Sequence, residues 1–138
     1  MHTQPAIRVF IYGSLLPGHH NHHVVSPYIQ HYEQGRIRGR LVDFGPYPAA
    51  VRDEAARRQA YTIRGLWITV SRQGLAAMDV LEGFQGIEEP SDYDRIWTVD
   101  HDNASLSGWT YVWSGDRSYP AIPGDYWPDY LIQVRQSP

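Results

Sequence analysis

Helical periodicity is confined to one clear segment of this chain, and this scarcity limits the folds open to it. Residues 75–81 carry apolar side chains at helical spacing, with Ser71 placed as an N-cap and Gly83 as a stop. The other patterned segments are short, rich in β-branched and aromatic residues, and separated by turn-forming residues: 7–12, 35–44, 47–51, 61–70, 93–101 and 106–113. The pattern predicts an α+β fold, a small mixed, mostly antiparallel β-barrel with a few short helices.

The remaining segments give weaker signals. We expect a loop at 13–23, a short helix within 24–32 that begins near Pro27, a hairpin loop at 53–59, and a further short helix near 125–134. No repeat or linker divides the 138 residues, so residues 1–138 are predicted to form a single domain.

The composition excludes several chemistries. The chain has no Cys, and all twelve cationic residues are Arg, which removes thiol nucleophiles, thiolate metal sites and Schiff-base lysines. The formal net charge of −3 gives no electrostatic footprint for nucleic-acid binding. Catalysis by this chain would therefore depend on carboxylates, hydroxyls, histidines or backbone dipoles.

Neither a membrane segment nor a secretion signal is evident. No apolar run approaches the roughly 20 residues of a spanning helix, and the first five residues lack the charged-then-apolar pattern of a signal peptide. We expect a cytoplasmic protein that does not bind membranes, either a monomer or a weak homodimer.

The loop after the first predicted strand reads Gly-Ser-Leu-Leu-Pro-Gly at 13–18. Its glycine spacing suits a Walker loop, but His19 and His20 stand where Lys and Ser or Thr are required. Leu16 replaces the second glycine of a serine-hydrolase elbow. Two interpretations remain: a plain turn, or a concavity of backbone N–H groups that binds a carboxylate.

Glu82 breaks the pattern of its predicted helix. Met78 lies four residues before it and Leu75 seven, so this carboxylate shares the apolar face that docks the helix. Such a group is either an exposed residue at a fraying helix end or a desolvated carboxyl whose raised pKa suits a general base. Asp79, one turn earlier, could share the site or raise that pKa further.

Three motifs together resemble the gamma-glutamylcyclotransferase-like family, of the gamma-glutamylamine cyclotransferase type. They are Val-Phe-Ile-Tyr-Gly-Ser-Leu at 9–15, Met-Asp-Val-Leu-Glu-Gly-Phe at 78–84, and Tyr-Asp-Arg at 93–95. Each is short, but their order, their spacing and their strand–helix–strand context are specific. The resemblance spans residues 7–113 and implies a small mixed barrel that cleaves gamma-glutamyl amides to 5-oxoproline without a cofactor.

The resemblance also implies roles for individual residues. Backbone groups of Tyr12, Gly13, Ser14 and Leu15 would hold the glutamyl α-carboxylate and α-amine, and Glu82 would accept the proton. Tyr93 would supply a pocket hydroxyl. Arg95 would support the site, unless it is a surface charge of its strand.

Three further clusters leave alternatives open. The histidines at 19, 20, 22 and 23 form a solvated loop, bind a metal, or place one ring on the leaving-amine side of the pocket. Arg36, Arg38 and Arg40 form a solvated strand face or attract an anionic leaving group. The aromatic residues from Trp109 to Tyr130 either pack in the core or line a pocket for an amine.

The sequence therefore predicts an enzyme with Glu82 as its base, a small gamma-glutamyl compound as its substrate, and neither metal nor cofactor. The alternative is a non-catalytic ligand-binding or interaction module on the same fold. The identity of the leaving amine is not predicted.

Overall fold

A computed structural model describes residues 6–86 and 91–136. In these ranges the chain forms seven strands, four α-helices and one 3₁₀ turn at Ser26–Tyr28. The strands are β1 (Ile7–Ile11), β2 (Ile29–Arg38), β3 (Arg40–Asp43), β4 (Pro48–Val51), β5 (Thr62–Val70), β6 (Asp94–Val99) and β7 (Ser107–Trp113). The helices are α1 (His22–Val25), α2 (Glu54–Arg58), α3 (Arg72–Glu82) and α4 (Trp127–Gln136). This confirms the predicted α+β class.

The strands form one curled sheet in the order β2-β5-β1-β7-β4-β3. Strand β6 pairs with β7 from Ser107 to Val112, along the edge opposite to the one that β1 and β4 share. Pairs β1–β7 and β4–β7 are parallel and the other pairs are antiparallel. The two end strands of this order, β2 and β3, are consecutive in the chain and separated only by Gly39. The sheet must therefore curl until its ends meet, as the predicted barrel requires.

Three local predictions were wrong. The strand predicted at 35–44 is interrupted at Gly39, whose φ of 150° turns the chain from β2 into β3. The helix predicted within 24–32 begins earlier, at His22, and gives way to β2 at Ile29. The loop predicted at 53–59 contains α2, because the Asp53 carboxylate accepts a hydrogen bond from the Ala56 N–H and caps it.

Helix α3 was predicted with the correct caps. The Ser71 hydroxyl accepts a hydrogen bond from the Gly74 N–H, and Gly83 ends the helix with a left-handed φ of 66°. Gly74 and Met78 are buried against the sheet. The predicted C-terminal helix is also present as α4, which begins at the buried Trp127. In the described part of the chain, no helix is long and apolar enough to span a membrane.

The pairing around β7 positions the site. Strand β1 contacts β7 through Val9 and Trp109, and β4 contacts the same strand further along, at Val112 and Trp113. Strands β1 and β4 thus follow one another along β7. The loop that leaves β1 emerges where β4 begins, and this junction lies beside the C-terminal end of α3.

Candidate active site

A cavity of about 290 Å³ opens at this junction. All of the residues predicted to bind substrate or accept a proton contribute to its lining: Tyr12, Gly13, Ser14, Leu15, Glu82 and Tyr93. The other lining residues are Phe10, Ile11, Asn21, Phe44, Tyr47, Pro48, Leu81, Asp92, Tyr111, Trp113 and Arg117. Two motifs separated by about seventy residues therefore meet in one cavity.

The loop at 13–15 is held in a fixed shape. The Leu16 N–H donates to the Gly13 carbonyl at 3.0 Å, and Asn21 donates to Ser14 twice, from its backbone N–H and from its side-chain amide. A β-carbon at Gly13 would lie 2.7 Å from the Pro48 ring, so only glycine permits this approach to β4. Hydrogen bonds from Asn21 and the close approach to Pro48 therefore hold the loop in place.

The N–H groups of Gly13, Ser14 and Leu15 donate no hydrogen bond to any residue that the structure describes. All three residues are buried and line the cavity. Buried donors without a protein partner are uncommon, and consecutive N–H groups in such a turn form a site for an anion. A row of N–H groups without a partner among the described residues is the feature that the carboxylate-binding interpretation of this loop requires.

Glu82 is the last residue of α3 and is partly buried in the cavity wall. Burial raises the pKa of its carboxyl to about 7. After the turn at Gly83 the chain returns alongside the helix end, since the Asp92 and Tyr93 N–H groups donate to the Gly83 and Glu82 carbonyls at 3.1 Å. This return brings Asp92 and Tyr93 into the cavity lining.

Asp79 and Arg95 lie behind the cavity wall. The Tyr111 hydroxyl donates to Asp79 Oδ1 at 2.6 Å, and Arg95 Nη1 lies 3.2 Å from Asp79 Oδ2. The Arg95 guanidinium is sandwiched between the rings of Phe84 and Trp109, at 4.9 and 4.7 Å. Asp79 therefore contacts the cavity only through Tyr111.

Three of the four tyrosine hydroxyls that line the cavity donate to an acceptor in the protein. Tyr12 donates to the Tyr111 carbonyl at 2.6 Å, and Tyr93 donates to the Pro48 carbonyl at 2.8 Å. With Tyr111 bonded to Asp79, all three hydroxyls have an acceptor in the protein. Burial raises the pKa of all three above the usual range for tyrosine, which keeps them neutral. The oxygens of Tyr93 and Tyr111 can still accept a hydrogen bond from a ligand.

The histidine, arginine and aromatic clusters differ in whether they reach the cavity. Of the clustered histidines, His22 Nδ1 lies 2.7 Å from the Leu15 carbonyl and supports the loop, while His20 contacts the Tyr47 hydroxyl at 3.4 Å. No group of three or more potential metal ligands occurs among the described residues. Arg36 pairs with Asp102 outside the cavity lining. Of the aromatic stripe, Tyr111 and Trp113 line the cavity.

Several lining residues were missed by the sequence analysis, notably Asn21, Asp92 and Arg117. None belongs to a motif, and each enters the cavity through a turn whose position depends on the sheet. Arg117 follows β7 with a left-handed φ of 51°, uncommon for a residue with a side chain. The sequence carried no signal for this conformation.

The sequence model of the family "Gamma-glutamyl cyclotransferase, AIG2-like" matches residues 9–129. The chain belongs to this family. A curated relative, the gamma-L-glutamyl-butirosin B gamma-glutamyl cyclotransferase of Niallia circulans, is 30% identical over 128 residues, which cover 91% of this chain and 78% of the relative. Family and relative together indicate an enzyme of the gamma-glutamyl cyclotransferase type, as the motifs predicted.

Two solved structures share the fold of this chain. An AIG2-like protein from Mus musculus has a TM-score of 0.62 at 20% identity, covering 91% of this chain and 82% of that chain. YkqA from Bacillus subtilis has a TM-score of 0.73 at 18% identity over 96% of this chain. This chain spans only 44% of the length of YkqA. At these identities the likeness concerns the fold alone.

Proposed function

We propose that this family member releases an amine from a gamma-glutamyl amide by cyclising the glutamyl group to 5-oxoproline, with Glu82 as the base. The observation that carries the proposal is the shared cavity. Its lining combines a carboxyl with a pKa near 7 and the loop at 13–15, whose N–H groups have no partner among the residues that the structure describes. A base of that pKa is partly deprotonated at neutral pH and can both accept and return a proton.

The two charged groups of a gamma-glutamyl amide match groups in the cavity lining. Its α-carboxylate would accept hydrogen bonds from the N–H groups of the 13–15 loop. Its α-ammonium would lie against Glu82 and the oxygens of Tyr93 and Tyr111, which retain lone pairs because their protons are bonded elsewhere. In this pose the α-nitrogen is held for attack on the γ-carbonyl carbon of the same molecule.

The reaction then needs one base. Glu82 removes a proton from the α-ammonium, and the amine forms a C–N bond to the γ-carbonyl carbon, giving a tetrahedral oxyanion. Protonated Glu82 gives this proton to the departing nitrogen as the original amide C–N bond breaks. The Glu82 carboxylate then takes the second proton from the ring nitrogen and passes it to the released amine, which leaves 5-oxoproline and an ammonium product. Because the attack is intramolecular, positioning supplies much of the rate, and the mechanism calls for no cofactor.

The oxyanion has limited sources of stabilisation. Since Tyr12, Tyr93 and Tyr111 donate to protein acceptors, their hydroxyls are not free donors. The donors that remain in the lining for the developing oxyanion include the N–H groups of 13–15 and the Tyr47 hydroxyl.

The test is to incubate the purified protein with a panel of gamma-glutamyl amides and to detect 5-oxoproline by mass spectrometry. We expect Glu82→Gln to lower kcat by about 100-fold or more, the range for loss of a general base. Glu54→Gln, a change at an exposed carboxylate on α2, is the matched control and should leave kcat unchanged.

Two outcomes would contradict the proposal. If every amide remains intact while calorimetry detects binding of the same compounds, the chain is the non-catalytic binding module considered as the alternative. If Glu82→Gln is as active as the parent, cyclisation occurs with another base.

A further inference from the structure

The residues around the cavity differ in how far they are exposed to solvent. The 13–15 loop is buried, Glu82 and Tyr93 are partly buried, and the exposed lining residues are Phe44, Leu81, Asp92 and Arg117. We call these last four residues the rim. A glutamyl group bound at the buried loop would have its γ-amide beside Glu82, so the leaving amine would extend toward the rim.

Arg117 is the one cation among the described residues that line the cavity. Its guanidinium lies 4.2 Å above the Trp113 ring, and its Nη2 donates to the Asp92 carbonyl at 2.8 Å. These two contacts hold the planar group in place. Within residues 6–86 and 91–136, most of its five N–H donors have no acceptor.

Arg117 also lacks a carboxylate partner among residues 6–86 and 91–136. Arg36, Arg40, Arg64 and Arg95 each form an ion pair in the same part of the chain. Arg8, Arg38, Arg52 and Arg72 form no such pair in these ranges either, but they do not line the cavity. The turn that presents Arg117 is itself anchored. Asp116 pairs with Arg40 Nη2 at 3.1 Å and accepts a hydrogen bond from the Ser118 N–H at 2.9 Å.

The backbone at this turn is strained. Arg117 and Ser118 have consecutive positive φ angles of 51° and 65°, a conformation that costs free energy for residues with a β-carbon. The surrounding hydrogen bonds maintain it and keep the guanidinium over Trp113 at the rim.

The rest of this side of the rim is aromatic. The Phe44 ring is 39% exposed and packs edge-on against Trp113 at 5.3 Å and against Tyr119 at 5.1 Å. An apolar or aromatic body of a leaving amine could pack on this surface.

We propose that Arg117 is a specificity residue that binds a carboxylate on the leaving amine, so that the preferred substrates are gamma-glutamyl amides of apolar or aromatic amino acids. This inference rests on the proposed function. The guanidinium fork matches a carboxylate in two parallel hydrogen bonds, which an ammonium-bearing amine cannot form. Asp92, the rim residue of opposite charge, would instead attract an ammonium group, and the two possibilities differ in their substrates.

The experiment uses substrates matched except for the carboxylate. Gamma-glutamyl-phenylalanine and gamma-glutamyl-phenethylamine share the ring and the amide, and only the first carries the carboxylate. We expect kcat/KM to favour gamma-glutamyl-phenylalanine by about 10-fold or more, as charge-assisted hydrogen bonds to a carboxylate allow. In Arg117→Gln the preference should disappear because kcat/KM falls for gamma-glutamyl-phenylalanine and stays the same for gamma-glutamyl-phenethylamine. Arg117→Lys should retain part of the preference.

Arg38→Gln, at an exposed arginine on β2 outside the cavity lining, is the control and should keep the parent's preference. The same two compounds are also titrated calorimetrically into Glu82→Gln, with and without Arg117→Gln, so that the subsite is measured independently of turnover. Tighter binding of gamma-glutamyl-phenylalanine that depends on Arg117 supports the inference even if no amide is cleaved, in which case only the proposed function fails.

Three results would contradict a carboxylate-binding role for Arg117. Equal kcat/KM and equal affinity for the two compounds would show that no carboxylate subsite exists. An equal loss on both compounds in Arg117→Gln would place Arg117 against the glutamyl group instead. Gamma-glutamyl-ethylenediamine carries an ammonium group in place of the carboxylate. If it is preferred over both compounds, the rim selects cationic amines through Asp92.

Discussion

Glu82 illustrates how position decides the chemistry of one carboxyl. It ends α3 on the face that docks against the sheet, and the turn at Gly83 brings Tyr93 beside it instead of leaving the helix end in water. Burial then raises its pKa to about 7, whereas an exposed glutamate at a frayed end would remain near 4.5. The pKa of Glu82 is thus a property of the packing at the end of α3.

This raised pKa predicts opposite pH dependences for stability and activity. The folded state holds the Glu82 proton more tightly than the unfolded state, so the contribution of Glu82 to the free energy of unfolding falls as pH rises from about 4.5 to about 7. Activity requires the deprotonated carboxylate, so kcat/KM, which reports the free enzyme, should rise through the pKa of Glu82 near 7.

Urea denaturation at pH 5 and pH 8, with Glu82→Gln as the comparison, measures the first effect. The variant should gain stability relative to the parent at the higher pH. A stability difference that does not change between the two pH values would mean that the carboxyl is solvated.

At the scale of secondary-structure elements, the contact between Asp79, Tyr111 and Arg95 joins α3 to β7 and β6. The side chains of Asp79 and Arg95 are 23% and 18% exposed, so the pair is shielded from solvent for most of its surface. Removal of the carboxylate would leave a cation between two aromatic rings without its anion. The contact therefore supports the cavity wall from behind.

Asp79→Asn should lower the free energy of unfolding by roughly 2–3 kcal/mol, somewhat less than the cost of breaking a fully buried ion pair. Chemical denaturation measures this cost. The double variant Asp79→Asn with Arg95→Met removes both charges and should recover part of the loss. If the single and double variants are equally unstable, the ion pair is not the source of the effect.

Packing between elements also explains why two local predictions failed. The segment 24–32 carries helix and strand signals together, and pairing with β5 converts it to strand from Ile29 onward. At 53–59 an Ala-rich turn becomes α2 because Asp53 caps it and also pairs with Arg40 across the sheet junction. At 29–32 the deciding partner is a distant strand, whereas at 53–59 the cap is local and the ion pair with Arg40 adds to it.

At the scale of the whole molecule, the curl of the sheet brings the motifs together. Gly39 lies where β2 ends and β3 begins, with a φ of 150° and its N–H bonded to the Tyr61 carbonyl at 3.1 Å. An added β-carbon there would meet Ile63 Cδ1 at 3.1 Å and the Val51 carbonyl at 3.3 Å. The residue at the closing point of the sheet must therefore be small and free in φ.

Gly39→Ala should destabilise the fold by about 1–3 kcal/mol, the cost of a strained backbone position, and lower the thermal unfolding midpoint accordingly. Scanning calorimetry measures the shift. Gly115→Ala is the control, since nothing lies within 4 Å of a β-carbon at that position and its φ is not positive. Equal midpoints for the two variants would contradict a role for Gly39 in closing the sheet.

The sequence by itself determined the features whose cause is local. The caps of α3 and the apolar face carrying Glu82 depend on residues close together in the chain. The order of the motifs at 9–15, 78–84 and 93–95 was sufficient for the family.

Only the tertiary structure decided the features that depend on distant partners. These include the place of the 13–15 loop in the cavity lining, with N–H groups that have no partner among the described residues. They also include the hydrogen bonds from the Tyr12, Tyr93 and Tyr111 hydroxyls to protein acceptors, and the position of Arg117 over Trp113. Each depends on which strand lies beside β7 and where the sheet closes. Burial, a pKa and a free hydrogen-bond donor are set by the surrounding atoms, and the fold brings most of those atoms from remote parts of the chain.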